Sequence, residues 1–329
     1  MTKGREMADF PESIHIHEEG PREGFQYEKG PISTDAKVEL IDALSETGLK
    51  EIQVASFVNP KRVPGMADAD EVVRRFRKKP GVRYSGLWLN EQGLHRAIAT
   101  QKIDMKGRIV LCASEPFLAR NQNSTLEQMV QSQRSMIGVY RQNAIPIEEG
   151  AVQAAFGCNF QGEVPVENVV GIVQRIVAIA AENAVALKQV MLADTMAWAT
   201  PRRIRAVVGA VRERFPELDI TLHLHDTRGM GIANAYAGLE MGVHSFDSSV
   251  AGLGGCPFAA HKGAAGNVCT EDLVFMCEEM GIDTGVDLDR LIAAANLAEQ
   301  IVGHPLPGSV KQGGSLRRLR EAARVAATA

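Results

Sequence analysis

The sequence has no long apolar run, no excess of basic residues and no paired cysteine motif. No stretch approaches the ~20 consecutive apolar residues that cross a membrane, so we expect no membrane-spanning helix. The formal net charge of −4 provides no basic field for nucleic acid or an anionic membrane surface. The first residues also lack the apolar core of a signal peptide. These absences predict a soluble, cytoplasmic protein that binds neither nucleic acid nor a membrane.

The five cysteines are odd in number, and no two of them have CxxC spacing. This favours reduced thiols over a disulfide framework. They are Cys112, Cys158, Cys256, Cys269 and Cys277.

Apolar, β-rich runs alternate with helical patterns eight times along the chain. Eight β/α units in about 270 residues predict a (β/α)8 TIM barrel. A doubly wound open sheet is the alternative, but no GxGxxG turn follows the first strand. The predicted strands are 14–18, 51–57, 84–89, 108–113, 151–157, 189–193, 220–225 and 245–251, and the predicted helices are 34–47, 67–77, 91–99, 125–141, 166–183, 201–215, 232–241 and 271–280.

The end of the chain is expected to extend this barrel rather than to form a second domain. We assign residues 1–302 to one catalytic domain and 303–329 to a C-terminal tail. The region from 286 onward predicts one more helix, a stretch with Pro and Gly, and a basic tail that serves packing or an interface.

His223 and His225 stand two residues apart in the seventh predicted strand, so their imidazoles project from one face. Two such rings on one face indicate a metal or substrate site, with two satisfied core histidines as the alternative. Oxygen ligands are available from Glu23 after the first strand and from Asn267 after the eighth. This mixed N/O set fits Mg²⁺, Mn²⁺ or Zn²⁺, and we favour the first two.

Further candidates lie in segments that follow other predicted strands. Cys256, in a glycine-flanked loop, is predicted to transfer a proton on a mobile lid, or else to be a small buried side chain. Arg22 is predicted to neutralise a substrate carboxylate or an oxyanion, or else to form a salt bridge within its loop. Asp194 is predicted as a proton acceptor or a helix cap. A second HxH pair, His15 and His17, is interpreted as structural, with His17 supporting neighbouring ligands.

Six segments together resemble the 3-hydroxy-3-methylglutaryl-CoA (HMG-CoA) lyase family, within the metal-dependent TIM-barrel lyases, aldolases and Claisen synthases. The similarity covers nearly the whole chain, from about residue 14 to 302. HxHDTxG is shared across the group, whereas GLGGCP followed by GNV-TED is specific to the lyases. The segments are EGPREGFQYEKGPIST (19–34), SFVNPKRVPGMAD (56–68), ADTMAWATP (193–201), HLHDTRGMGIANAYAGLEMGV (223–243), AGLGGCPFA (251–259) and GAAGNVCTED (263–272).

The resemblance implies retro-Claisen cleavage of a 3-hydroxy-3-carboxyalkyl acyl-CoA to acyl-CoA and a ketone or keto acid, with a place in leucine catabolism. It implies a divalent cation on Glu23, His223, His225 and Asn267, and a homo-oligomer, dimer or tetramer. It implies catalytic roles for Arg22, Cys256, His223, Asp194 and Gln53. CoA contacts are expected from Ser114, Asn121 and Lys262, the last of which can meet a CoA phosphate or a substrate carboxylate.

Departures from the family pattern bear on the substrate. The family motif GPRDG reads GPREG here, and the added methylene of Glu23 extends the carboxylate by ~1.5 Å. Gln53 replaces a family glutamate and removes a charge partner of Arg22, which the longer Glu23 can partly replace. The lid contains an extra His261–Lys262, and LWLN (87–90) and GCN (157–159) also differ. We therefore expect a related branched or hydroxylated acyl-CoA, or HMG-CoA itself, as the substrate.

Three other functions fit parts of this pattern. A Claisen synthase would carry a C-terminal regulatory region, which the short tail cannot supply. A 2-keto-acid aldolase would need no CoA. A non-catalytic acyl-CoA-binding protein would be expected to lose some of the site residues, yet both histidines, Asn267 and Cys256 are present.

Overall fold

Eight strands form one parallel sheet in the order β3-β2-β1-β8-β7-β6-β5-β4. The computed structural model describes residues 10–28, 30–255 and 266–328. The strands are β1 (His15–Glu18), β2 (Glu51–Ser56), β3 (Arg83–Leu87), β4 (Gly107–Cys112), β5 (Ile147–Gln153), β6 (Gln189–Ala193), β7 (Asp219–His223) and β8 (Ser245–Ser248).

Helices follow the strands in the alternation that the sequence predicts. No helix in the described parts of the chain is both long and apolar enough to span a membrane. The helices are α1 (Phe25–Tyr27), α2 (Thr34–Ser45), α3 (Ala69–Arg75), α4 (Glu91–Ala99), α5 (Glu115–Gln122), α6 (Leu126–Gln142), α7 (Val166–Glu182), α8 (Pro201–Arg214), α9 (Gly231–Glu240), α10 (Thr270–Glu279), α11 (Leu288–Val302), α12 (Val310–Gly313) and α13 (Leu316–Thr328).

The chain divides into two compact units, which are Met1–His15 with Lys106–Phe246, and Ile16–Met105 with Asp247–Ala329. In the first, β4 to β7 pair in parallel in chain order. In the second, β2 pairs in parallel with both β1 and β3. Helices bury one apolar stripe, as α8 does with residues at i, i+3, i+4 and i+7 spacing. In α8 these residues are Ile204, Val207, Val208 and Val211.

Two helices begin at residues that are typical of helix starts. Ser33 is the N-cap of α2, and its hydroxyl accepts a hydrogen bond from the Ala36 amide at 3.2 Å. Pro201 occupies the first position of α8.

The predicted bounds of the fifth strand, 151–157, are wrong, because β5 spans Ile147–Gln153. Its first half contains Glu149, which an apolar pattern excludes from a strand. This glutamate is 1% exposed because it pairs with Arg108 at 3.1 Å and accepts a hydrogen bond from Gln189 at 2.8 Å. Paired charges of this kind allow a glutamate inside a sheet.

Helix α5 is absent from the predicted elements. It begins after Ser114, whose hydroxyl accepts a hydrogen bond from the Phe117 amide at 3.3 Å. It ends at Asn123, which adopts the left-handed conformation with φ of 48°. Its eight residues are too short and too polar for a helical periodicity to appear.

Glu18, the last residue of β1, is fully buried and supports the turn that follows. Its carboxyl accepts hydrogen bonds from the Gly20 amide at 2.7 Å, the Val250 amide at 2.9 Å and the Thr270 hydroxyl at 2.6 Å. Position 20 must be glycine, because a Cβ there would lie 2.6 Å from a Glu18 oxygen. Burial raises the pKa of Glu18 to about 7 despite these donors.

We therefore expect Glu18→Gln to change how stability depends on pH. Between pH 4.5 and 7 the unfolded carboxyl is ionised while the folded one keeps its proton, so this group makes the free energy of unfolding fall with rising pH. This fall in the free energy of unfolding is on the order of 1–3 kcal/mol, and it is absent in the variant, which has no carboxyl to titrate. The amide oxygen of the variant can still accept hydrogen bonds from the Gly20 and Val250 amides. Urea unfolding at pH 4.5, 6 and 7.5 measures this difference.

The matched control is Glu217→Gln, at an exposed position. The free energy of unfolding of Glu18→Gln minus that of the wild type should increase with pH. The same difference for Glu217→Gln should stay constant. A pH-independent difference for Glu18→Gln would contradict the prediction.

Candidate active site

The segment after β1 forms a π-helical turn, Gly20–Gly24, in which all five residues are buried. Such turns are rare and occur frequently at functional sites. Pro21 lies at the start of the turn, and the Glu23 amide donates to the Glu19 carbonyl at 2.7 Å. The turn therefore presents Arg22 and Glu23 from one tightly held piece of backbone.

Arg22 is surrounded by acceptors from its own turn and from β2. Its Nη1 lies 2.6 Å from Glu23 Oε2, its Nη2 donates to Glu19, and its Nε donates to Gln53 Oε1. Glu19 and Glu23 raise the pKa of Arg22, although burial alone would lower it. The guanidinium thus stays charged while only 7% of the residue is exposed. The predicted salt bridge within the loop is present, and Glu23 is a charge partner of Arg22 as predicted.

Glu19 is the residue of this cluster that the sequence analysis missed. It is 2% exposed, and Oε1 accepts a hydrogen bond from Gln53 Nε2 at 3.2 Å. The available signal was the pair of glutamates directly before GPREG, at the end of a strand. A buried glutamate at that place requires a partner, and Arg22 lies three residues later.

His223 and His225 lie together in the other compact unit. His223 is the last residue of β7 and His225 follows two residues later, so the assigned strand ends before the predicted position 225. Their ring centroids are 5.1 Å apart, and the residues are 8% and 4% exposed.

The orientation of the His225 ring is set by the backbone after β6. Its Nδ1 lies 2.9 Å from the Asp194 carbonyl oxygen, which can only accept, so Nδ1 carries the proton. Nε2 is then the ring nitrogen with the lone pair for coordination. A histidine held through its other nitrogen by a carbonyl is the usual arrangement of a metal ligand.

Asp194 follows β6 directly and is 1% exposed. Its Oδ1 accepts hydrogen bonds from the amides of Trp198 at 2.7 Å and Ala199 at 2.9 Å. Oδ2 has no hydrogen-bond partner among the described residues. Burial raises the pKa of Asp194 to about 6, so this carboxyl can hold or release a proton near neutral pH. Asp194 therefore caps its loop with one oxygen, which agrees with one of the two predictions for it.

Asn267 is fully buried, and neither its amide oxygen nor its amide nitrogen has a hydrogen-bond partner among the described residues. A buried amide without partners is costly, so a bound group is the expected occupant. The buried set contains imidazole nitrogens, carboxylate oxygens and an amide oxygen, which are ligand types of Mg²⁺, Mn²⁺ and Zn²⁺. These residues fit a divalent cation by chemistry and by this orphaned amide.

The remaining predicted residues have varied positions. Ser114 is buried as the cap of α5, and Asn121 is exposed on that helix. His17 pairs with Asp247, its Nδ1 being 3.1 Å from Oδ1, which fits the structural interpretation. Cys256 and Lys262 lie outside the described residues.

A family model described as HMGL-like matches residues 13–298 of this chain. Among curated proteins, the cytoplasmic 3-hydroxy-3-methylglutaryl-CoA lyase of Mus musculus is 37% identical to this chain. The match covers 95% of this chain and 88% of the mouse protein. The mitochondrial hydroxymethylglutaryl-CoA lyase of Homo sapiens is 37% identical over 93% of this chain and 91% of its own.

Solved structures agree with this relationship. The HMG-CoA lyase of Bacillus subtilis superimposes with a TM-score of 0.85 at 35% identity, covering 92% of this chain and 98% of that one. The HMG-CoA lyase of Acinetobacter baumannii, in complex with coenzyme A and 3-methylmalate, has a TM-score of 0.82 at 35% identity, with 92% and 96% covered. The predicted TIM-barrel-like fold is thereby confirmed. With the family model and these relatives each matching most of its length, the chain belongs to the HMGL-like family.

Proposed function

We propose that this protein is a divalent-metal-dependent carbon–carbon lyase that cleaves HMG-CoA or a closely related acyl-CoA. The observation that carries the proposal is 37% identity to an HMG-CoA lyase over 95% of the chain. In the reaction the C3 hydroxyl loses its proton and the C2–C3 bond breaks. C3 becomes the carbonyl carbon of a keto acid or ketone. The bonding pair passes to the thioester as an enolate, which takes a proton at C2 and leaves as acyl-CoA.

Four residues are proposed to hold the metal, namely Glu23, His223, His225 and Asn267. Their support is the family membership, the proton on His225 Nδ1 and the orphaned amide of Asn267. When bound, a divalent cation would act as a Lewis acid toward the hydroxyl and acyl oxygens of the substrate. Magnesium or manganese is proposed over zinc.

The chain's own groups are assigned the charge and proton steps. The Arg22 guanidinium would bind the enolate oxygen as negative charge develops there. Asp194, with its raised pKa and its second oxygen unpartnered among the described residues, is proposed to accept the proton of the C3 hydroxyl. His223 and Cys256 are proposed to take part in proton transfer, with Cys256 delivering the proton to C2.

An acyl-CoA substrate is supported by the relatives, one of which was solved with coenzyme A, and Ser114, Asn121 and Lys262 are proposed as CoA contacts. The family model matches residues 13–298, which supports one catalytic domain over 1–302 with a C-terminal tail. A homo-oligomer, a cytoplasmic location and a place in leucine catabolism stay predictions.

The turnover assay tests the function directly. With Mn²⁺ or Mg²⁺, the protein should release acetyl-CoA from HMG-CoA or a branched 3-hydroxy analogue, and EDTA should abolish the release. A citrate-synthase-coupled assay over a panel of 3-hydroxyacyl-CoAs measures this. Condensation of an acyl-CoA with a 2-keto acid would indicate a synthase, and cleavage of a free acid without CoA an aldolase. CoA binding without turnover would indicate a binding protein.

Loss of the proposed ligands should weaken metal binding independently of turnover. We expect His225→Ala and Asn267→Ala to raise the Kd for Mn²⁺ by at least about 10–100-fold. Titration followed by electron paramagnetic resonance of free Mn²⁺ measures it. His95→Ala, on the exposed side of α4, is the control and should bind as the wild type does. Unchanged affinity in both site variants would refute the ligand assignment.

Asp194→Asn should separate the two roles of Asp194. The amide oxygen can still accept from Trp198 and Ala199, so the unfolding temperature should change little. The variant has no base, so kcat should fall on the order of 10²–10⁴-fold. Steady-state kinetics together with differential scanning fluorimetry make the comparison. A variant with normal kcat would show that Asp194 acts only as a cap.

A further inference from the structure

Arg22, Glu19 and Gln53 form a closed ring of hydrogen bonds. Arg22 Nε donates to Gln53 Oε1, Gln53 Nε2 donates to Glu19 Oε1 at 3.2 Å, and Arg22 Nη2 donates to Glu19 Oε2. Each of the three side chains therefore contacts both of the others. All three are at least nine-tenths buried.

The ring determines the orientation of every group in it. The Gln53 amide can take only one orientation, because the reverse one would set its NH₂ against the Arg22 Nε donor. Both oxygens of Glu19 are occupied, one by a neutral and one by a charged donor. The side edge of the guanidinium, Nε and Nη2, is consequently held at two points.

This arrangement leaves a defined part of Arg22 for a ligand. A guanidinium has five N–H donors. Three of them have acceptors among the described residues, on Gln53, Glu19 and Glu23. The other two lie on the terminal nitrogens, one on each, and are the donors that can meet a substrate oxygen.

We propose that Glu19 is a positioning residue of this enzyme, which together with Gln53 holds Arg22 so that its terminal nitrogens face the developing enolate oxygen. The inference rests on the proposed function. Glu19 would touch no substrate and would act through Arg22. The carboxylate that orients Arg22 is then on the residue that precedes the π-helical turn, and its neutral hydrogen-bonding partner is on β2.

The ring allows an exchange experiment, because its geometry predicts which variants can close it. In Glu19→Gln, the new NH₂ faces the NH₂ of Gln53, so donor meets donor. In Gln53→Glu, the new carboxylate faces Glu19, so acceptor meets acceptor. In the double variant the carboxylate at 53 accepts from Arg22 Nε and from the amide at 19, whose oxygen accepts from Arg22 Nη2. The ring closes again with the same net charge.

We expect Glu19→Gln and Gln53→Glu each to lower kcat on the order of 10–100-fold, with KM changed less than about threefold, since a misplaced guanidinium costs mainly in the transition state. The double variant should recover to within about fivefold of the wild-type kcat. A wild-type kcat in folded Glu19→Gln, or a double variant no better than the product of the single ones, would overturn the proposal.

A matched control exists in the other compact unit, where Glu149 accepts a hydrogen bond from Gln189 and pairs with Arg108. Glu149→Gln, alone and combined with Gln189→Glu, disturbs a similar Glu–Gln–Arg group. In it the glutamate is buried, Arg108 and Gln189 are partly exposed, and Lys106 lies 3.4 Å from the carboxylate as a further partner. Its disturbance should alter the unfolding temperature and leave kcat within about twofold. A purely structural role of Glu19 would give this same result.

The wild-type assay distinguishes the two failures. Turnover by the wild type with an unaffected Glu19→Gln variant refutes the positioning role alone. If the wild type cleaves none of the 3-hydroxyacyl-CoAs, the proposed function fails. The hydrogen-bonded ring is then tested by comparing the unfolding temperatures of the single and double variants. Recovery of the unfolding temperature in the double variant would then support the ring, and additive losses would refute it.

Discussion

A buried guanidinium needs acceptors, and the segment after β1 is organised around supplying them to Arg22. Removing such a charge from water is unfavourable unless it is paired and hydrogen-bonded. Glu19, which precedes the π-helical turn, and Glu23 within the turn both pair with it, and Gln53 reaches it from β2. The neighbouring carboxyl of Glu18 holds the turn itself through backbone amides, which explains the glycine at position 20.

In the other unit, Asp194 has two roles, one of them toward His225. Its carbonyl oxygen orients His225, while one carboxyl oxygen organises the loop that follows β6. Asp194 therefore orients a proposed metal ligand through its carbonyl oxygen and is itself the proposed base. Burial raises the pKa of this carboxyl, although the two backbone hydrogen bonds act to lower it.

Much of the fold followed from local pattern. The alternation of strands and helices depends on neighbouring residues, and it was predicted correctly. The Ser33 cap and the position of Pro201 are likewise local features. The predicted bounds of β5 were wrong because a glutamate such as Glu149 is expected at the surface. Its partners on β4 and β6 become apparent only in the folded structure. Helix α5 was missed because its eight residues, with only Phe117 and Leu118 buried, are too few to show a helical periodicity.

By itself the sequence determined the residue types at the ends of the strands, the alternation that places them there, and the family. These depend on chemistry and spacing along one chain. Only the tertiary structure decided that Glu19 orients Arg22, that Gln53 bridges the two, and that His225 carries its proton on Nδ1. Each of these depends on a contact between segments far apart in sequence or on a side-chain direction. Hydrogen bonds are selected by distances of a few tenths of an ångström, which a linear pattern does not contain.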